Sequence, residues 1–166
     1  MTTDEIKKDS KWRFLVAACI FIFKDDKILV TKRNESRDHD PGKRECVSGR
    51  FDQDFNTVES EVMREAHEEL WEEFTCRLIA PISFYHFYRA GRKSDELVGI
   101  NYIAEWIEWE VELSDEHTEY QWIKPEDFLQ WNVDEFLIKD IKHLIQVKDL
   151  YFQNKEMFLK NFKESN

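Results

Sequence analysis

An acidic segment in the first half of the chain carries the residues best suited to chemistry. Residues 59–73 contain no glycine or proline, so they can form a continuous helix. At about 100° per residue, one arc of that helix collects Glu61, Glu65, Glu68, Glu69 and Glu72. Like charges three or four positions apart destabilise a helix slightly, so the arrangement is unfavourable unless something compensates it.

Two interpretations of this acidic face are open on spacing alone. It can be a solvated face of an acidic protein, or it can hold a divalent cation. Magnesium prefers carboxylate oxygens and usually shares its coordination sphere with substrate phosphates. Glu65, Glu68 and Glu69 suit the second interpretation, because positions i, i+3 and i+4 lie together on a helix surface.

The acidic helix needs a core to pack on, and its other residues provide that contact. A separate apolar arc is formed by Val62, Met63, Ala66 and Leu70. Thr57 is of the residue type preferred at a helix N-cap. We therefore predict a helix that packs on the core with one face and presents its carboxylates on another.

The rest of the chain alternates β-forming segments with helices. The predicted strands are 13–23, 28–33, a short piece near Cys46–Val47, 76–88 with a break at Pro81, 97–109 and 121–124. The predicted loops are 34–44 and 114–120. A helical turn opens at Pro125, and a long C-terminal helix spans 133–162, with Asn132 and Glu135 resembling a capping box. This order predicts the α/β (α+β) class, with a mixed β-sheet sandwiched between helices.

Composition narrows the classes of function. The chain has 166 residues, 42% hydrophobic and 14% aromatic, which is enough apolar material for a single domain over 1–166. Its net charge of −11 argues against binding a nucleic-acid polymer, since like charges repel. No apolar run is long enough for a membrane span, and the polar N-terminal segment 1–11 is unlike a signal peptide. Three scattered cysteines provide no disulfide framework, so we expect a cytoplasmic protein.

The segment GRFDQDFNTVESEVMREAHEELWE, residues 49–72, resembles the signature of the Nudix hydrolase family. That signature opens with a glycine and has Arg-Glu-x-x-Glu-Glu as its most specific part. Arg64, Glu65, Glu68 and Glu69 match this part residue for residue, and Gly49 matches the opening glycine if one loop residue is inserted. The resemblance also fits the predicted order of strands and helices, and it implies the family's sandwich fold.

This sequence departs from the family signature at three positions. Asn56 stands where the signature has its first glutamate, Trp71 where it has its second glycine, and Glu72 where it ends on an apolar residue. The departures remove one carboxylate at the rim of the implied site and change how the helix ends. They affect the expected efficiency and substrate more than the expected fold.

The resemblance assigns roles to the matched residues. Glu68 and Glu69 are the implied metal ligands, and Glu65 is a further ligand or the general base that orients the attacking water. Arg64 is the implied structural arginine that fixes the neighbouring carboxylates, and Gly49 offers a backbone carbonyl to the metal. A further acidic ligand is expected from the late loop, where Glu116 and Glu119 are the candidates.

Residues 31–49 resemble the branch of this fold that includes isopentenyl-diphosphate isomerase. Isomerase chemistry requires a cysteine beside the signature glycine, whereas Ser48 stands there and Cys46 is displaced by two residues. This argues against the isomerase reaction while supporting a similar loop. The basic residues near this loop are candidate substrate-phosphate contacts, namely Arg33, Lys43, Arg44 and Arg50.

These observations predict a Mg²⁺-dependent hydrolase, with Mn²⁺ as a possible substitute. Its substrate is a nucleoside diphosphate linked to another moiety, or a related small diphosphate. Two alternatives stay open: a Nudix-fold binding or regulatory module with weak catalysis, and an isomerase-like enzyme. The aromatic content also suggests a homodimer.

Overall fold

A mixed β-sheet forms the centre of the molecule. The computed structural model describes residues 14–38, 40–88, 96–131, 133 and 135–164. Within them the strands are β1 (Leu15–Lys24), β2 (Lys27–Arg33), β3 (Arg44–Glu45), β4 (Val47–Arg50), β5 (Thr75–Tyr88), β6 (Glu96–Glu108) and β7 (His117–Ile123). The main path is β3-β2-β1-β6-β5, while β4 pairs with β1 and β7 pairs with β2. β1 runs parallel to β6 and antiparallel to β2 and β4, so the sheet is mixed.

Four helices are present in the described residues. They are α1 (Val58–Leu70), α2 (Pro125–Phe128), α3 (Glu135–Gln153) and α4 (Lys155–Glu164). None of them is both long and apolar enough to cross a lipid bilayer. The polar N-terminal segment 1–11 and the predicted capping residue Asn132 lie outside the described residues.

β1 separates two apolar cores, because successive side chains of a strand point to opposite faces. Ala18, Ile20 and Ile22 belong to one core, which includes Val62, Ala66 and Leu70 of α1. Cys19, Phe21 and Phe23 belong to the other core, which includes Phe128, Ile141 and Leu144. Helices therefore cover both faces of the sheet, which confirms the predicted fold class.

α1 begins where the sequence predicts and ends earlier. Thr57 is its N-cap, and its hydroxyl accepts a hydrogen bond from the Ser60 amide at 3.1 Å. The Thr57 amide donates in turn to the Ser60 hydroxyl at 3.2 Å, which completes a reciprocal cap. The predicted helix over 59–73 stops at Leu70, since Trp71 adopts φ 85° and ψ 149°.

Three other elements differ from the sequence prediction. β5 continues through Pro81, with a register shift between Pro81 and Ser83; it lies at the sheet edge, where a missing N–H is tolerated. The predicted loop 114–120 is strand from His117 onward, because β7 pairs with β2. The single helix predicted over 133–162 is two helices. It is interrupted at Asn154, whose side-chain amide and backbone N–H both donate to the Leu150 carbonyl, at 2.8 and 3.2 Å.

Candidate active site

Arg64 lies at the centre of a group of carboxylates on α1. Its Nη1 donates to Glu68 Oε1 and its Nη2 to Glu65 Oε1, both at 2.6 Å. Its Nε donates to Glu61 Oε2 at 3.0 Å. Burial alone would lower the pKa of Arg64, but the hydrogen bonds to Glu68 and Glu61 raise it above its ordinary value. The guanidinium therefore stays charged and compensates the like charges that make this helix face unfavourable.

The same arginine also connects α1 to the loop that precedes it. Arg64 Nη2 donates to the Arg50 carbonyl at 3.1 Å, at the end of β4. Glu61 Oε2 accepts the Asp52 backbone N–H at 3.0 Å as well as Arg64 Nε. The Asp52 N–H, followed by Arg64, holds the pKa of Glu61 below its usual range. Glu61 and Arg64 together fix the start of the β4–α1 loop on the helix.

Glu61 was not among the residues that the sequence singled out for the site. It is 7% exposed, although nothing in the acidic pattern distinguishes it from the solvated Glu72. Asn56, which occupies the position of the signature's first glutamate, is exposed. The available signal was the spacing, because Glu61 stands three residues before Arg64 on the same helix face.

Gly49 allows Glu65 to lie directly against strand β4. A Cβ added at Gly49 would lie 1.8 Å from Glu65 Oε2, so every other residue type would displace this carboxylate. Glu65 is 8% exposed. Burial raises its pKa, and the neighbouring Arg64 charge opposes that shift. Glycine is thus required at position 49 because the Glu65 carboxylate lies against its Cα, and not because the backbone turns there.

Glu69 is the most buried of the predicted metal ligands. Its Oε1 accepts the Ser48 backbone N–H at 3.2 Å. Its Oε2 is buried and has no hydrogen-bond partner among the described residues. Burial first, and then the charge of Glu45, raise the pKa of Glu69 well above its ordinary value. A buried carboxylate oxygen without a partner is costly, and contact with a cation or a water molecule would reduce that cost.

A second group of polar and charged residues lies next to Glu69. Glu45 Oε1 accepts from Arg33 Nη1 and from His117 Nε2, each at 2.9 Å. This contact requires the His117 proton on Nε2, an assignment made from the hydrogen-bond network. His117 Nε2 lies 3.9 Å from Glu69 Oε2, too far for a hydrogen bond. No sequence pattern predicts the Glu45–His117 pair, because 72 positions separate the two residues.

An open cleft of about 870 Å³ is lined by Arg33, Glu45 and Glu69, and Glu61 and His117 are not part of its lining. Eight of the residues predicted for the site line it, namely Arg33, Gly49, Arg50, Arg64, Glu65, Glu68, Glu69 and Glu116. Arg37 lines it as well, and its Nη2 lies 2.8 Å from Glu116 Oε1. Arginines and carboxylates thus face the same space, which suits a phosphate ester bound with a cation.

Three of the predicted site residues do not line this cleft. Glu119 lies 3.3 Å from Lys32 Nζ and 3.1 Å from Arg44 Nη2, and the hydrogen bond from Lys32 holds the pKa of Glu119 below its usual range. The Arg44 guanidinium also lies 4.6 Å from the centre of the Trp131 ring. Lys43 forms an ion pair with Asp40. Of the two late-loop candidates, only Glu116 reaches the cleft.

The cleft contains donor groups that suit a divalent cation, but those among the described residues do not yet surround a common point. In the part of the chain that the structure describes, no three His, Cys, Asp or Glu side chains already surround a common point suited to a metal. Arg64 holds Glu65 and Glu68 in ion pairs instead. The buried, unpartnered Glu69 Oε2 is a hard oxygen donor beside them, which is the donor type that Mg²⁺ and Mn²⁺ prefer. The residues present therefore fit such a cation.

Comparison with known proteins gives matches to one family. The family model of the NUDIX domain matches residues 13–144. The nucleoside triphosphatase NudI of Escherichia coli is 30% identical over 122 residues, which cover 69% of this chain and 85% of that protein. The MutT protein of Methanosarcina mazei superposes with a TM-score of 0.67 at 18% identity, covering 81% of this chain and 95% of that one. An Ap4A hydrolase of C. elegans superposes with a TM-score of 0.62 at 16% identity, covering 81% and 98%.

The two structural likenesses concern the fold, whereas the family match covers most of the chain in sequence. It includes both the strand that carries Gly49 and the helix that carries Arg64 and the three cleft glutamates. The chain belongs to the Nudix family of pyrophosphohydrolases, which hydrolyse diphosphate linkages in small nucleotide-type substrates.

Proposed function

We propose that this protein hydrolyses the diphosphate linkage of a nucleoside diphosphate joined to another group, with Mg²⁺ as its cofactor and Mn²⁺ as a substitute. The observation that carries the proposal is the buried Glu69 Oε2, which has no partner among the described residues and lies beside a cleft lined with arginines. Glu65, Glu68 and Glu69 would hold the cation, together with the Gly49 carbonyl. Glu116, which also lines the cleft, is a candidate for a further contact.

A bound divalent cation would neutralise the charge on the phosphate oxygens and so make the phosphorus accessible to a nucleophile. Arg33, Arg37 and Arg50 line the same cleft and would bind the remaining phosphate oxygens. Glu45 Oε1 lies 2.9 Å from Arg33 Nη1, and this ion pair positions the guanidinium before substrate binds. Its pKa, which burial would lower, is raised by the Glu45 charge.

Glu65 would act as the general base. Arg64 holds Glu65 Oε1, while Oε2 lies over Gly49. In the proposed step a water oxygen attacks one phosphorus, its proton passes to Glu65, and the bridging P–O bond breaks so that the second phosphate leaves. Burial raises the pKa of Glu65, which brings a carboxylate closer to the range suited to accepting a proton at neutral pH. Arg64 and Glu61 act as positioning residues in this scheme.

The isomerase alternative receives no support from the cysteines. Cys46 is 1% exposed and Cys19 is 7% exposed. A hydrogen bond with Cys46 and burial raise the pKa of Cys19, which keeps it a neutral thiol. Neither cysteine lines the cleft, so neither is placed to exchange protons with a substrate there.

The experiment is a substrate panel assayed for released phosphate or pyrophosphate, with Mg²⁺, with Mn²⁺ and with EDTA. The panel holds nucleoside triphosphates, diphosphate sugars, dinucleotides and prenyl diphosphates. We expect metal-dependent hydrolysis of one nucleotide class, lost in Glu69→Gln and retained in Glu73→Gln, which changes an exposed carboxylate just beyond α1. Binding of a panel member without turnover would instead favour the binding-module alternative and contradict the proposal.

A further inference from the structure

A second groove runs along the neighbouring side of α1. It measures about 850 Å³ and is lined chiefly by Ser60, Met63, His67, Trp71, Leu113 and Ser114. Arg64 and Glu68 line both this groove and the arginine-lined cleft. The two spaces are therefore adjacent, with the Arg64–Glu68 ion pair between them, and a ligand centred on the cleft would pass over that pair to reach the groove.

Trp71 is the unusual residue of this groove. Its φ of 85° and ψ of 149° lie in a region of backbone conformation that is essentially confined to glycine. Its side chain gains little from burial, since 54% of the residue is exposed. Neither the local backbone nor core packing accounts for tryptophan here, and a strained residue beside a reaction site is a reason to look for a function.

We propose that the groove binds a flat aromatic ring of the substrate, a nucleobase, which stacks on the Trp71 indole. This inference rests on the proposed function, because it places the phosphates of the same substrate at Glu65 and Glu69. Met63 and Leu113 supply apolar surface on which a ring can lie. A nucleobase stacks on an aromatic side chain through its π face, and the indole offers a large and exposed one.

Polar groups at the groove also suit a base. The Ser114 hydroxyl oxygen is buried and has no hydrogen-bond partner among the described residues. Glu72 lines the groove as an exposed acceptor, so an exocyclic amino group would find a partner there.

The aromatic end of the arginine-lined cleft is the competing location for a base. Tyr85 and Phe87 line that end, but their rings already stack on each other with centroids 6.1 Å apart. A Cβ added at Gly99 would lie 1.8 Å from the Tyr85 ring, so this ring is packed against the β6 backbone as well. Trp71 is the more available stacking surface of the two.

The test is calorimetric titration of the wild-type protein, Trp71→Gly, Trp71→Phe and Trp109→Gly in the presence of Mg²⁺. The probes are the α,β-methylene analogues of the four common nucleoside triphosphates and inorganic tripolyphosphate, which has no base. Trp109 is a matched control, because it is equally exposed at 54%, has a φ of 73° and lines neither the cleft nor the groove. Thermal unfolding of each variant is measured in parallel.

We expect Trp71→Gly to lose about tenfold in affinity for at least one nucleotide analogue, because the stacking contact is removed. Its affinity for tripolyphosphate should not change, and Trp71→Phe should retain most of the nucleotide affinity. The Tm of Trp71→Gly should rise by about 2–4 °C, since glycine relieves the strained backbone. Trp109→Gly should gain stability in the same way and leave the affinity for every probe unchanged.

Equal nucleotide affinity of Trp71→Gly and the wild-type protein would overturn this inference alone, provided that the wild-type protein binds a nucleotide. An equal loss for nucleotide and tripolyphosphate would also overturn it, because the change would then act on the phosphate site. If the wild-type protein binds tripolyphosphate but no nucleotide analogue, the proposed substrate class and this inference fail together. Binding of neither probe would contradict the phosphate site itself.

Discussion

The acidic face of α1 contains two regions that differ in how their carboxylates are compensated. Around Arg64, the carboxylates of Glu61, Glu65 and Glu68 each accept a hydrogen bond from one guanidinium. Around Glu69, a carboxylate is buried next to the acidic Glu45, and its Oε2 has no partner in the described residues. The acidic face thus combines carboxylates that are paired with an arginine and one carboxylate oxygen that has no such pairing.

The physical reason for the difference is the position of the compensating cation. Arg64 donates to Glu61, Glu65, Glu68 and the Arg50 carbonyl, and none of its hydrogen bonds within the described residues extends to Glu69. Near Glu69 the nearest basic group is His117, whose Nε2 proton is already used by Glu45. Mutation of Arg64 should therefore mainly lower stability, whereas mutation of Glu69 should mainly lower activity and metal binding.

The largest expected effect is on turnover in the Glu69 region. Glu69→Gln should reduce kcat by on the order of 10²–10³-fold with Mg²⁺ present, because it removes a charge that holds the cation at the reacting phosphate. Its free energy of unfolding in EDTA should equal or exceed that of the wild-type protein, since a buried charge is removed. Steady-state kinetics and urea unfolding measure the two quantities. If Glu69→Gln lost both turnover and stability, Glu69 would have a structural role like that of Arg64, which would contradict this prediction.

The Arg64 region should show the opposite result. Arg64→Met leaves Glu65, which is 8% exposed, without its charged partner, and we expect it to lower the free energy of unfolding by about 3 kcal/mol. The Glu68 contact adds little to this loss, because the Glu68 side chain is 60% exposed. Arg64→Lys should recover only part of it, since a single ammonium cannot reach the acceptors that the guanidinium spans. Urea unfolding that leaves Arg64→Met as stable as the wild-type protein would refute the structural role.

Gly49 sharpens the comparison, because it affects Glu65 alone. In Gly49→Ala the new Cβ must push Glu65 off β4, and misplacement of the proposed base should lower kcat by on the order of 10²-fold. Because the displaced atoms are the end of a flexible side chain, stability should change little. A double-mutant cycle provides the control: Gly49→Ala should have almost no further effect on kcat in a Glu65→Ala background. Additive effects of the two changes would contradict the explanation.

The smallest expected effect is on the pH dependence of stability without metal. Burial raises the pKa of Glu69, so the folded protein keeps this proton at pH values where the unfolded chain has released it. The free energy of unfolding should therefore fall as pH rises above about 4.3, the ordinary glutamate pKa, until Glu69 ionises in the folded state too. Unfolding in EDTA at several pH values should show a shallower decline for Glu69→Gln than for the wild-type protein. Parallel profiles would contradict the raised pKa.

Local features of the sequence predicted most of the fold. β1, β2 and β6 were predicted from β-forming residues, and α1 from the N-cap residue Thr57 and an apolar arc at helical spacing. The errors occurred where a distant contact or a single side chain decides the structure. β7 extends to His117 because β2 provides its partner, and the C-terminal helix divides at Asn154, whose side chain shares the Leu150 carbonyl with its own backbone N–H.

The part of the candidate site that lies on one helix was predictable from the sequence, and the part that depends on the folded sheet was not. Arg64, Glu65, Glu68 and Glu69 stand on one helix, where spacing alone brings them together. Glu45 and His117 come from two different strands, so only the folded sheet places them beside Glu69. Glu61 shows a third case, because its position was visible in the acidic pattern but its burial was not.

The central claim is that Glu69, whose Oε2 has no partner among the described residues, is required for binding a divalent cation, whereas Glu61, which already accepts from Arg64 and from the Asp52 N–H, is not. The most direct test is a titration with Mn²⁺, followed by the electron paramagnetic resonance signal of the free ion, in the absence of substrate. We predict that the wild-type protein and Glu61→Gln take up Mn²⁺ and that Glu69→Gln takes up much less. Equal uptake by the wild-type protein and Glu69→Gln would contradict the account.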